Sequence, residues 1–501
     1  MKFKNNAIEQ IKALMIEKNK SSGALFQGLV FGNAYDNEEI FIGEGEARKN
    51  EEVNENMYWR MASLTKLLAS ITLSAAIEDG LLSIDDPVYL YIPEIAEINQ
   101  YIDSASYTGG TDKYGLPNYK MNLITKEGLG KEITIRDLLE CRSGLGYQAF
   151  AIGSLVDLLK QYINTESGQI YTSWFQYLQT LISPNDYSDI SGLVDNLTLN
   201  YYKRTATFTD IIKERFKHPL LSYPGTKLEY GADLCYISAA VGRALQLKGV
   251  NKTCSEYVSF RIFNPLEMKN AWLSNGSLNP PLDISEKLTS AFFVRQSNAD
   301  GLAGPNVKFN KLYRDTDPEA YGDGFVYLTQ PPYYQNQTKP PITDYLASGL
   351  DVSLACTLSD YCKIMKLIIN KGIYINSNNV KIRILSEESV NFICNPKISI
   401  NEAVDDYGPG TLSKNGIDYT WCGGISKIIE YNCPKLQSCL SYSSFYYNCF
   451  YNTEHCFDIR TGNYIVGGTQ SAQNSWLLDD KIGPYNIDII KCYSILANNK
   501  I

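Results

Sequence analysis

Histidine is scarce in this sequence: its 501 residues contain only two, His218 and His455. The sequence also contains no Gly-x-Ser-x-Gly segment, the turn that carries the nucleophile of α/β-hydrolases. A hydrolase that relies on serine, histidine and aspartate would have poor candidates, because His218 precedes a proline and is better explained as structural. The Gly-x-x-x-x-Gly-Lys loop and the dinucleotide-binding fingerprint are also missing, which counts against nucleotide chemistry.

The sequence has no run of 18 apolar residues, and the stretch from Met1 to Gln10 does not resemble a signal peptide. Acidic residues outnumber basic ones, 55 to 46, so the net charge is −9 and a nucleic-acid partner is not expected. We therefore expect a cytoplasmic protein that contacts neither membrane nor nucleic acid. In that compartment its twelve cysteines would be reduced thiols.

The composition is that of a globular protein, with 44% hydrophobic and 20% charged residues. A chain of 501 residues is too long for one ordinary core, and roughly 150 residues per domain predicts two or three lobes. The 37 tyrosines are unusual, and most are expected to pack as amphipathic core residues.

The segment Ser63-Leu-Thr-Lys66 stands at the start of an apolar helix. Residues three apart share one face of a helix, so the Lys66 amine would lie over the Ser63 hydroxyl. The unpaired N–H groups at a helix start favour negative charge developing on that serine. We therefore prefer a serine nucleophile with an amine as its base over a capping serine beside a solvated lysine.

The helix that follows is apolar around most of its circumference, which predicts that it is buried in the centre of a large protein. A buried helix that begins with a lysine needs a reason for that lysine, because unpaired charges are seldom buried. The apolar positions are Leu67, Leu68, Ile71, Leu73, Ala75 and Ile77.

Two segments, Met61-Ala-Ser-Leu-Thr-Lys66 and Glu78-Asp-Gly-Leu-Leu-Ser-Ile-Asp-Asp-Pro87, resemble the serine beta-lactamase-related superfamily. The branch that they resemble comprises class C beta-lactamases, family VIII esterases and fungal acyltransferases of the lovastatin-synthase type. The resemblance implies an α/β (α+β) fold of the beta-lactamase/transpeptidase type. In that fold an antiparallel sheet is flanked by helices and carries an inserted all-helical lobe.

This architecture predicts a discontinuous sheet domain formed by residues 1–80 and 385–501. Residues 81–384 would form the helical lobe with its insertions. Residues 425–460 are rich in cysteine and tyrosine and are expected to be an insertion within the sheet domain.

The cysteines near this predicted insertion could in principle hold zinc or form a disulfide. They include no Cys-x-x-Cys pair, and their spacings fit no common zinc pattern. An inserted tyrosine-rich loop with free thiols is the preferred interpretation, and no metal or organic cofactor is implied. The four residues are Cys433, Cys439, Cys449 and Cys456.

A tyrosine is the third chemical group that the resemblance implies, and Tyr230 occupies its position after the turn at Pro224-Gly225. The family motif is Tyr-x-Asn, whereas Tyr230-Gly231-Ala232 lacks the asparagine, as esterase and fungal acyltransferase members often do. That departure lowers the expectation of beta-lactam hydrolysis. An ammonium beside a phenol stabilises the phenolate, so Tyr230 and Lys66 could move the serine proton.

The resemblance also implies a strand at the edge of the cleft, with Lys-Thr-Gly in beta-lactamases and often Trp-x-Gly or His-x-Gly in esterases. We align Val466-Gly467-Gly468 with it, because a second strand ending in Asp479 follows at the expected distance. The N–H groups of Ser63 and Thr469 would then form the oxyanion hole. The competing segment, Trp421-Cys-Gly-Gly424, supplies the tryptophan, and neither candidate carries a lysine.

Substrate contacts are expected from Gly467 and Gly468, whose missing side chains let a carbonyl group approach the backbone. Tyr147, which follows the Cys141-Arg-Ser-Gly-Leu-Gly segment, is expected to contact the substrate as well.

Local patterns predict the remaining elements. The predictions comprise an opening helix over Asn5 to Lys18, a β-hairpin over Gly23 to Ala47, a long loop or insertion over Gln100 to Gly128, helical cover over Phe150 to Pro219, a helix over Cys235 to Leu247, an irregular rim over Ser274 to Tyr345, a helix capped by Thr357, and strands over Tyr464 to Ser471, Ser475 to Asp479 and Tyr485 to Ile495.

The sequence therefore predicts a serine hydrolase or acyltransferase that forms an acyl-enzyme on Ser63, with Lys66 and Tyr230 as proton-transfer groups. The expected partner is a small-molecule ester or amide substrate, and esterase or transesterase activity ranks first. Beta-lactamase or D-amino-acid peptidase activity is one alternative. The other alternative is a catalytically inactive scaffold or assembly protein, because a fold alone does not establish a function.

Overall fold

A computed structural model describes most of the chain. The described residues are 2–3, 6–111, 117–146, 216, 219–231, 233–273, 282–290, 292–297, 308–314, 350, 353–397, 417–431, 440–449, 451–470 and 487–501. Tyr147, Cys433, Cys439, the strand predicted over 475–479 and nearly all of the helical cover predicted over 150–219 lie outside them.

The α-helices within the described residues are numbered in chain order. They are α1 Ala7–Ser22, α2 Thr65–Glu78, α3 Ile135–Leu139, α4 Asp233–Leu247, α5 Cys254–Val258, α6 Leu282–Ser285, α7 Leu358–Ile369, α8 Glu387–Cys394 and α9 Ile489–Asn499.

The strands are numbered in the same way. They are β1 Phe26–Asn33, β2 Glu38–Arg48, β3 Glu51–Glu52, β4 Trp59–Arg60, β5 Gln100–Thr111, β6 Pro117–Thr125, β7 Ala271–Leu273, β8 Phe292–Ser297, β9 Lys308–Arg314, β10 Leu354–Cys356, β11 Ile373–Ile375, β12 Lys381–Arg383, β13 Ile417–Trp421, β14 Ser426–Tyr431, β15 Ser444–Asn448, β16 Thr453–Asp458 and β17 Asn463–Gly468.

An eight-stranded antiparallel sheet organises the fold, in the order β13-β14-β15-β16-β17-β1-β2-β3. The predicted opening hairpin is confirmed as β1 and β2, joined at Asn33–Glu38. The C-terminal β17 pairs with β1 from Gly28–Gly468 to Asn33–Asn463, so the two ends of the chain meet in mid-sheet.

Helices cover both faces of this sheet, as expected for a sheet flanked by helices. Alternate side chains of a strand point to opposite faces. On one face Leu29, Phe31 and Ile465 pack in a cluster with residues of α1 and α9. On the other face Val30 and Val466 join the main core, which includes α2 and α7.

Helix α2 runs through the centre of that core, which confirms the burial predicted for the helix after Ser63. Every side chain from Thr65 to Ala76 is buried, including the lysine. Thr134 caps the short helix α3: its side chain accepts the Asp137 N–H, and the Asp137 carboxylate accepts the Thr134 N–H.

Several predicted elements are wrong. The strand expected over 485–495 is mostly helix α9, which begins where the Asp488 side chain accepts the Lys491 N–H. Its buried residues Ile489, Cys492, Tyr493 and Leu496 recur at helical spacing, which a run of β-branched residues disguised.

The loop expected over 100–128 is largely a β-hairpin of β5 and β6. The irregular rim expected over 274–345 also contains a hairpin, formed by β8 and β9.

Residues 425–460 supply β14, β15 and β16 of the main sheet, so the expectation of an inserted loop is wrong for the described part of this segment, and its status as an insertion stays a prediction. Strands β15 and β16 are buried on both faces apart from Asn448. A strand that is covered on both sides loses the polar and apolar alternation by which an exposed strand is recognised. Among the described cysteines no disulfide is formed.

The domain division at residues 81 and 384 stays a prediction. Helix α7 falls within the predicted helical lobe, yet it lies on the sheet. Its Lys366 ammonium pairs with Glu39 of β2 at 3.1 Å, and its Tyr361 hydroxyl contacts His455 of β16 at 2.9 Å.

Candidate active site

Ser63 lies in a short 3₁₀ helix, Ala62–Leu64, that leads directly into α2. The first hydrogen bond of this turn runs from the Leu64 N–H to the Met61 carbonyl at 2.9 Å. The Ser63 N–H precedes it and so belongs to the donors that have no acceptor inside the helix. Ala62 has a φ of 40°, a conformation that costs a non-glycine residue energy. The turn therefore presents a half-buried serine on a strained backbone.

Lys66 lies one turn further along α2 and is fully buried. Its Nζ lies 5.0 Å from the centre of the Tyr230 ring, within the range of an ammonium–aromatic attraction. This contact accounts for part of what keeps a charged group in the core beside Ser63.

The Tyr230 hydroxyl donates to the Ser63 Oγ at 3.1 Å. The structure therefore brings together the hydroxyl, the amine and the phenol that the sequence predicts as a catalytic group. Two of them come from one helix start, and the third comes from a segment 167 residues away in the chain.

Tyr230 is held in place by its neighbours. A Cβ at Gly231 would lie 2.1 Å from the carbonyl carbon of Gly146, so only glycine allows this approach of two backbones. Three residues after Tyr230, the buried Asp233 carboxylate accepts a hydrogen bond from Ser143. The glycine after Tyr230 thus has a packing reason.

A second tyrosine, Tyr447 of β15, completes the group, and sequence reasoning missed it. Its hydroxyl donates to the Tyr230 hydroxyl at 2.8 Å. The Trp421 ring contacts both phenols, with ring centres 6.0 Å from Tyr230 and 5.6 Å from Tyr447. No motif distinguished Tyr447 among 37 tyrosines, and its strand was hidden by burial on both faces.

The strand that borders this site is β15, so the alignment of the cleft-edge strand with Val466–Thr469 is wrong. Strand β17 lies inside the sheet between β16 and β1. It is two strands from β15, a distance of about 10 Å at the usual strand spacing.

The oxyanion role predicted for Thr469 is contradicted by its hydrogen bonds. Its N–H donates to the Asn452 carbonyl at 3.2 Å, and its hydroxyl donates to the Phe26 carbonyl at 2.7 Å. Thr469 is fully buried. Its N–H is therefore already hydrogen-bonded to the Asn452 carbonyl and is not available to an oxyanion at Ser63.

The substrate contacts predicted for Gly467 and Gly468 are wrong for a related reason. A Cβ on Gly467 would lie 2.2 Å from the Gly28 carbonyl oxygen, and one on Gly468 would lie 2.2 Å from the Asn452 oxygen. These glycines admit neighbouring strands of the same sheet, not a substrate.

The competing segment, Trp421–Gly424, borders the site without forming the cleft-edge strand. It ends β13 and turns tightly into β14 through a hydrogen bond from the Cys422 N–H to the Ile425 carbonyl at 2.8 Å. Ser70 of α2 donates to the Gly423 carbonyl. A Cβ on Gly424 would lie 2.5 Å from the Lys66 carbonyl oxygen. The turn therefore supports the backbone that carries Lys66.

In the part of the chain that the structure describes, no three His, Cys, Asp or Glu residues are grouped so that they could hold a metal ion. In the same residues no helix is long and apolar enough to cross a membrane.

The curated proteins include a relative with a named activity. A lovastatin esterase from Penicillium rubens is 25% identical to this chain over 257 residues. The match covers 50% of this chain and 48% of the relative, so the chain spans about half the length of the curated protein that it matches.

Solved structures match along nearly the whole chain. The LovD6 mutant of simvastatin synthase from Aspergillus terreus superposes with a TM-score of 0.60 and 16% identity, covering 98% of this chain and 94% of the other. EstCE1, a hydrolase with promiscuous acyltransferase activity, superposes with a TM-score of 0.54 and 13% identity, covering 95% and 97%. These likenesses establish the expected beta-lactamase/transpeptidase-like fold.

The beta-lactamase family matches residues 15–287, which is more than half of the chain. That range contains Ser63, Lys66 and Tyr230. The chain belongs to the beta-lactamase family.

Proposed function

We propose that this protein is a serine esterase or acyltransferase that forms an acyl-enzyme on Ser63. The observation that carries the proposal is the hydrogen bond from Tyr230 to Ser63 at 3.1 Å, with the Lys66 Nζ 5.0 Å from the Tyr230 ring centre. A nucleophile within hydrogen-bond reach of one proton acceptor and near a second has the arrangement that acyl transfer requires.

In the acylation step the Ser63 Oγ forms a bond to the carbonyl carbon of an ester, and the bond to the leaving alcohol breaks. The Ser63 proton passes to Tyr230 in its phenolate form, or to Lys66 as a neutral amine, and then to the departing oxygen. Water or a second alcohol or amine resolves the acyl-enzyme by the reverse sequence.

Tyr447 stabilises the proton-accepting state of Tyr230. Its hydroxyl donates to the Tyr230 oxygen at 2.8 Å, and a donor on that oxygen favours the charged phenolate over the neutral phenol. The Lys66 Nζ, 5.0 Å from the centre of the Tyr230 ring, adds a favourable interaction with a negatively charged Tyr230 when the amine is protonated.

The oxyanion is held by the Ser63 N–H and by the edge of β15. The Cys449 N–H donates to the Thr453 carbonyl at 2.9 Å, so alternation along the strand turns the Asn448 peptide groups away from β16. On that other side β14 pairs with β15 only at Tyr446 and Phe445. The N–H of Asn448, on that edge of β15, therefore replaces the Thr469 N–H as the proposed second donor.

Small esters are favoured over beta-lactams as substrates. Tyr230-Gly-Ala lacks the asparagine of the beta-lactamase motif, and the strand at the cleft edge, Ser444–Asn448, contains no lysine. The names of the similar proteins, a lovastatin esterase, a simvastatin synthase and a hydrolase with promiscuous acyltransferase activity, support the same choice.

The test compares the wild-type protein with Ser63→Ala. We expect a fluorophosphonate probe to label the wild type and not the variant. We also expect the wild type to cleave short-chain nitrophenyl esters faster than a chromogenic cephalosporin. Folded wild-type protein that is neither labelled nor active would support a scaffold instead, and preferred cleavage of the cephalosporin would support a beta-lactamase.

A further inference from the structure

A second hydrogen-bonded group contacts the backbone of Leu64, the residue that follows Ser63. The Tyr361 hydroxyl of α7 donates to the Leu64 carbonyl at 3.0 Å, and it lies 2.9 Å from the Nδ1 of His455 on β16. Tyr361 and His455 are both fully buried, and their rings stack with centres 5.7 Å apart.

The direction of these hydrogen bonds follows from counting donors. A phenol has one proton, which Tyr361 gives to Leu64, so the Nδ1 of His455 must carry the proton that it shares with Tyr361. The Nε2 of His455 then holds a lone pair and has no hydrogen-bond partner. The opposite arrangement would remove the Tyr361 donation to Leu64 and leave a buried Nε2–H without an acceptor, which costs more.

The position of Leu64 gives this group its importance. Leu64 follows Ser63 directly and lies in the same 3₁₀ turn as Ala62, whose φ is 40°. A strained turn persists only when surrounding contacts over-determine it. Strand β10 supplies two more: Met61 N–H to the Leu354 carbonyl at 2.9 Å, and Leu354 N–H to the Thr65 hydroxyl at 3.2 Å.

The sheet connects this group with the reacting side chains. Tyr447 and His455 are direct partners across β15 and β16. Side chains of such a pair stand on the same face with Cβ atoms about 5 Å apart. One member of the pair reaches Tyr230, and the other reaches Tyr361. Tyr230 and the Ser63 turn are therefore each connected, through Tyr447 and through His455 with Tyr361, to one pair of neighbouring positions in the sheet.

We propose that Tyr361 and His455 are positioning residues, which hold the Leu64 carbonyl so that Ser63 meets Tyr230 in reactive geometry. This inference rests on the proposed function for its effect on the rate, but not for its effect on the turn. Neither residue touches the Ser63 oxygen in the described contacts, so they act through the backbone.

The kinetic test uses Tyr361→Phe, which removes only the hydroxyl. We expect kcat for a nitrophenyl ester, and the rate constant of fluorophosphonate labelling, to fall about 10- to 100-fold, because small displacements of reacting groups have effects of that size. KM should change less than about threefold, since no substrate contact is removed. The matched control is Tyr464→Phe, whose equally buried hydroxyl donates to Glu39 at 3.1 Å elsewhere in the core.

His455 is tested by two replacements. The amide of His455→Asn can place a donor near the position of Nδ1, so this variant should keep most of the wild-type kcat. His455→Leu has no donor and should lose kcat as Tyr361→Phe does. Equal activity of the two variants, or a loss in Tyr361→Phe no greater than in Tyr464→Phe, would overturn the proposal.

A measurement independent of activity separates this inference from the proposed function. Hydrogen–deuterium exchange across residues 61–66 should be faster in Tyr361→Phe than in the wild type and unchanged in Tyr464→Phe. A wild type that does not react with esters or probes would refute the proposed function, yet the exchange result would still decide whether Tyr361 holds the turn. Unchanged exchange in Tyr361→Phe would refute the inference alone.

Discussion

The hydroxyl of Tyr447 donates a 2.8 Å hydrogen bond to the hydroxyl of Tyr230, which in turn donates to Ser63. The hydroxyl groups of Tyr447, Tyr230 and Ser63, which come from three separate parts of the chain, therefore form a chain of hydrogen bonds beside the Lys66 side chain. Tyr447 lies on β15, the strand that borders the site, whose residues Ser444–Asn448 include no lysine. The site thus combines one serine and one amine with two phenols.

Replacing Tyr447 by phenylalanine should lower kcat by about tenfold, because the lost hydrogen bond supports charge on Tyr230 during proton transfer. The measurement is steady-state hydrolysis of a nitrophenyl ester. Tyr446→Phe is the matched control, since Tyr446 is equally buried on the same strand and packs in the cluster on the other face of the sheet.

A double-mutant cycle sharpens this prediction. If Tyr447 acts through Tyr230, the variant with both tyrosines changed to phenylalanine should be no slower than Tyr230→Phe alone. Additive losses would instead mean that Tyr447 acts independently of Tyr230.

Replacing Lys66 by methionine should slow fluorophosphonate labelling of Ser63 by about 10²- to 10⁴-fold, the usual contribution of a proton-transfer group. Methionine fills much of the same apolar space, so the fold should be kept. Lys366→Met is the control, because Lys366 is also buried but pairs with Glu39 on the far side of α7. Rapid labelling of Lys66→Met would show that the amine takes no part in activating Ser63.

Gly424→Ala should destabilise the protein and disturb the site. Its φ of 144° disfavours any side chain, and the added Cβ would lie 2.5 Å from the Lys66 carbonyl oxygen. We expect a loss of about 1–3 kcal/mol, the range for overpacking a core, measured by denaturant unfolding.

Gly249→Ala measures how much of the loss in unfolding free energy comes from the positive φ without any steric contact. Gly249 also has a positive φ, 77°, but a Cβ there would meet nothing within 4 Å. Its loss should stay near 1 kcal/mol or below. Equal losses in the two variants would mean that contact with the Lys66 backbone contributes nothing.

His455 should make the stability depend on pH. Burial lowers the pKa of His455 to about 3, whereas an unfolded histidine titrates near ~6.5. Between these values the unfolded chain binds a proton that the folded chain does not. The stability is therefore fully present above about pH 6.5 and is lost as the pH falls toward 3, by up to about 1.4 kcal/mol per pH unit.

The comparison with His455→Asn measures this contribution. Denaturant unfolding at several pH values between 4 and 7 should give a shallower decline for the variant, which has no imidazole to protonate. Carboxylates contribute the same slope to both proteins, so they cancel in the difference. Parallel curves would show that His455 is protonated in the folded protein as readily as in the unfolded chain.

The sequence was informative about side chains that are close together both along the chain and in the folded protein. Ser63 and Lys66 are three residues apart on a helix start, and the apolar residues after them made α2 recognisable as a central helix. Tyr230 was found through a resemblance in its flanking turn. Strand β15 was missed because its side chains are buried on both faces, and α9 was taken for a strand because its β-branched residues favour one.

The amino-acid sequence by itself was enough to predict the family and to single out Ser63 and Lys66 as candidates, since these depend on short segments whose geometry is set by one helical turn. Only the tertiary structure decided which strand borders the site, and with it the contacts of Tyr447 and Thr469. Strand order depends on pairings between residues hundreds of positions apart, such as Gly28 with Gly468. No local pattern records such a pairing, because every strand of a sheet covered on both faces has similar apolar side chains.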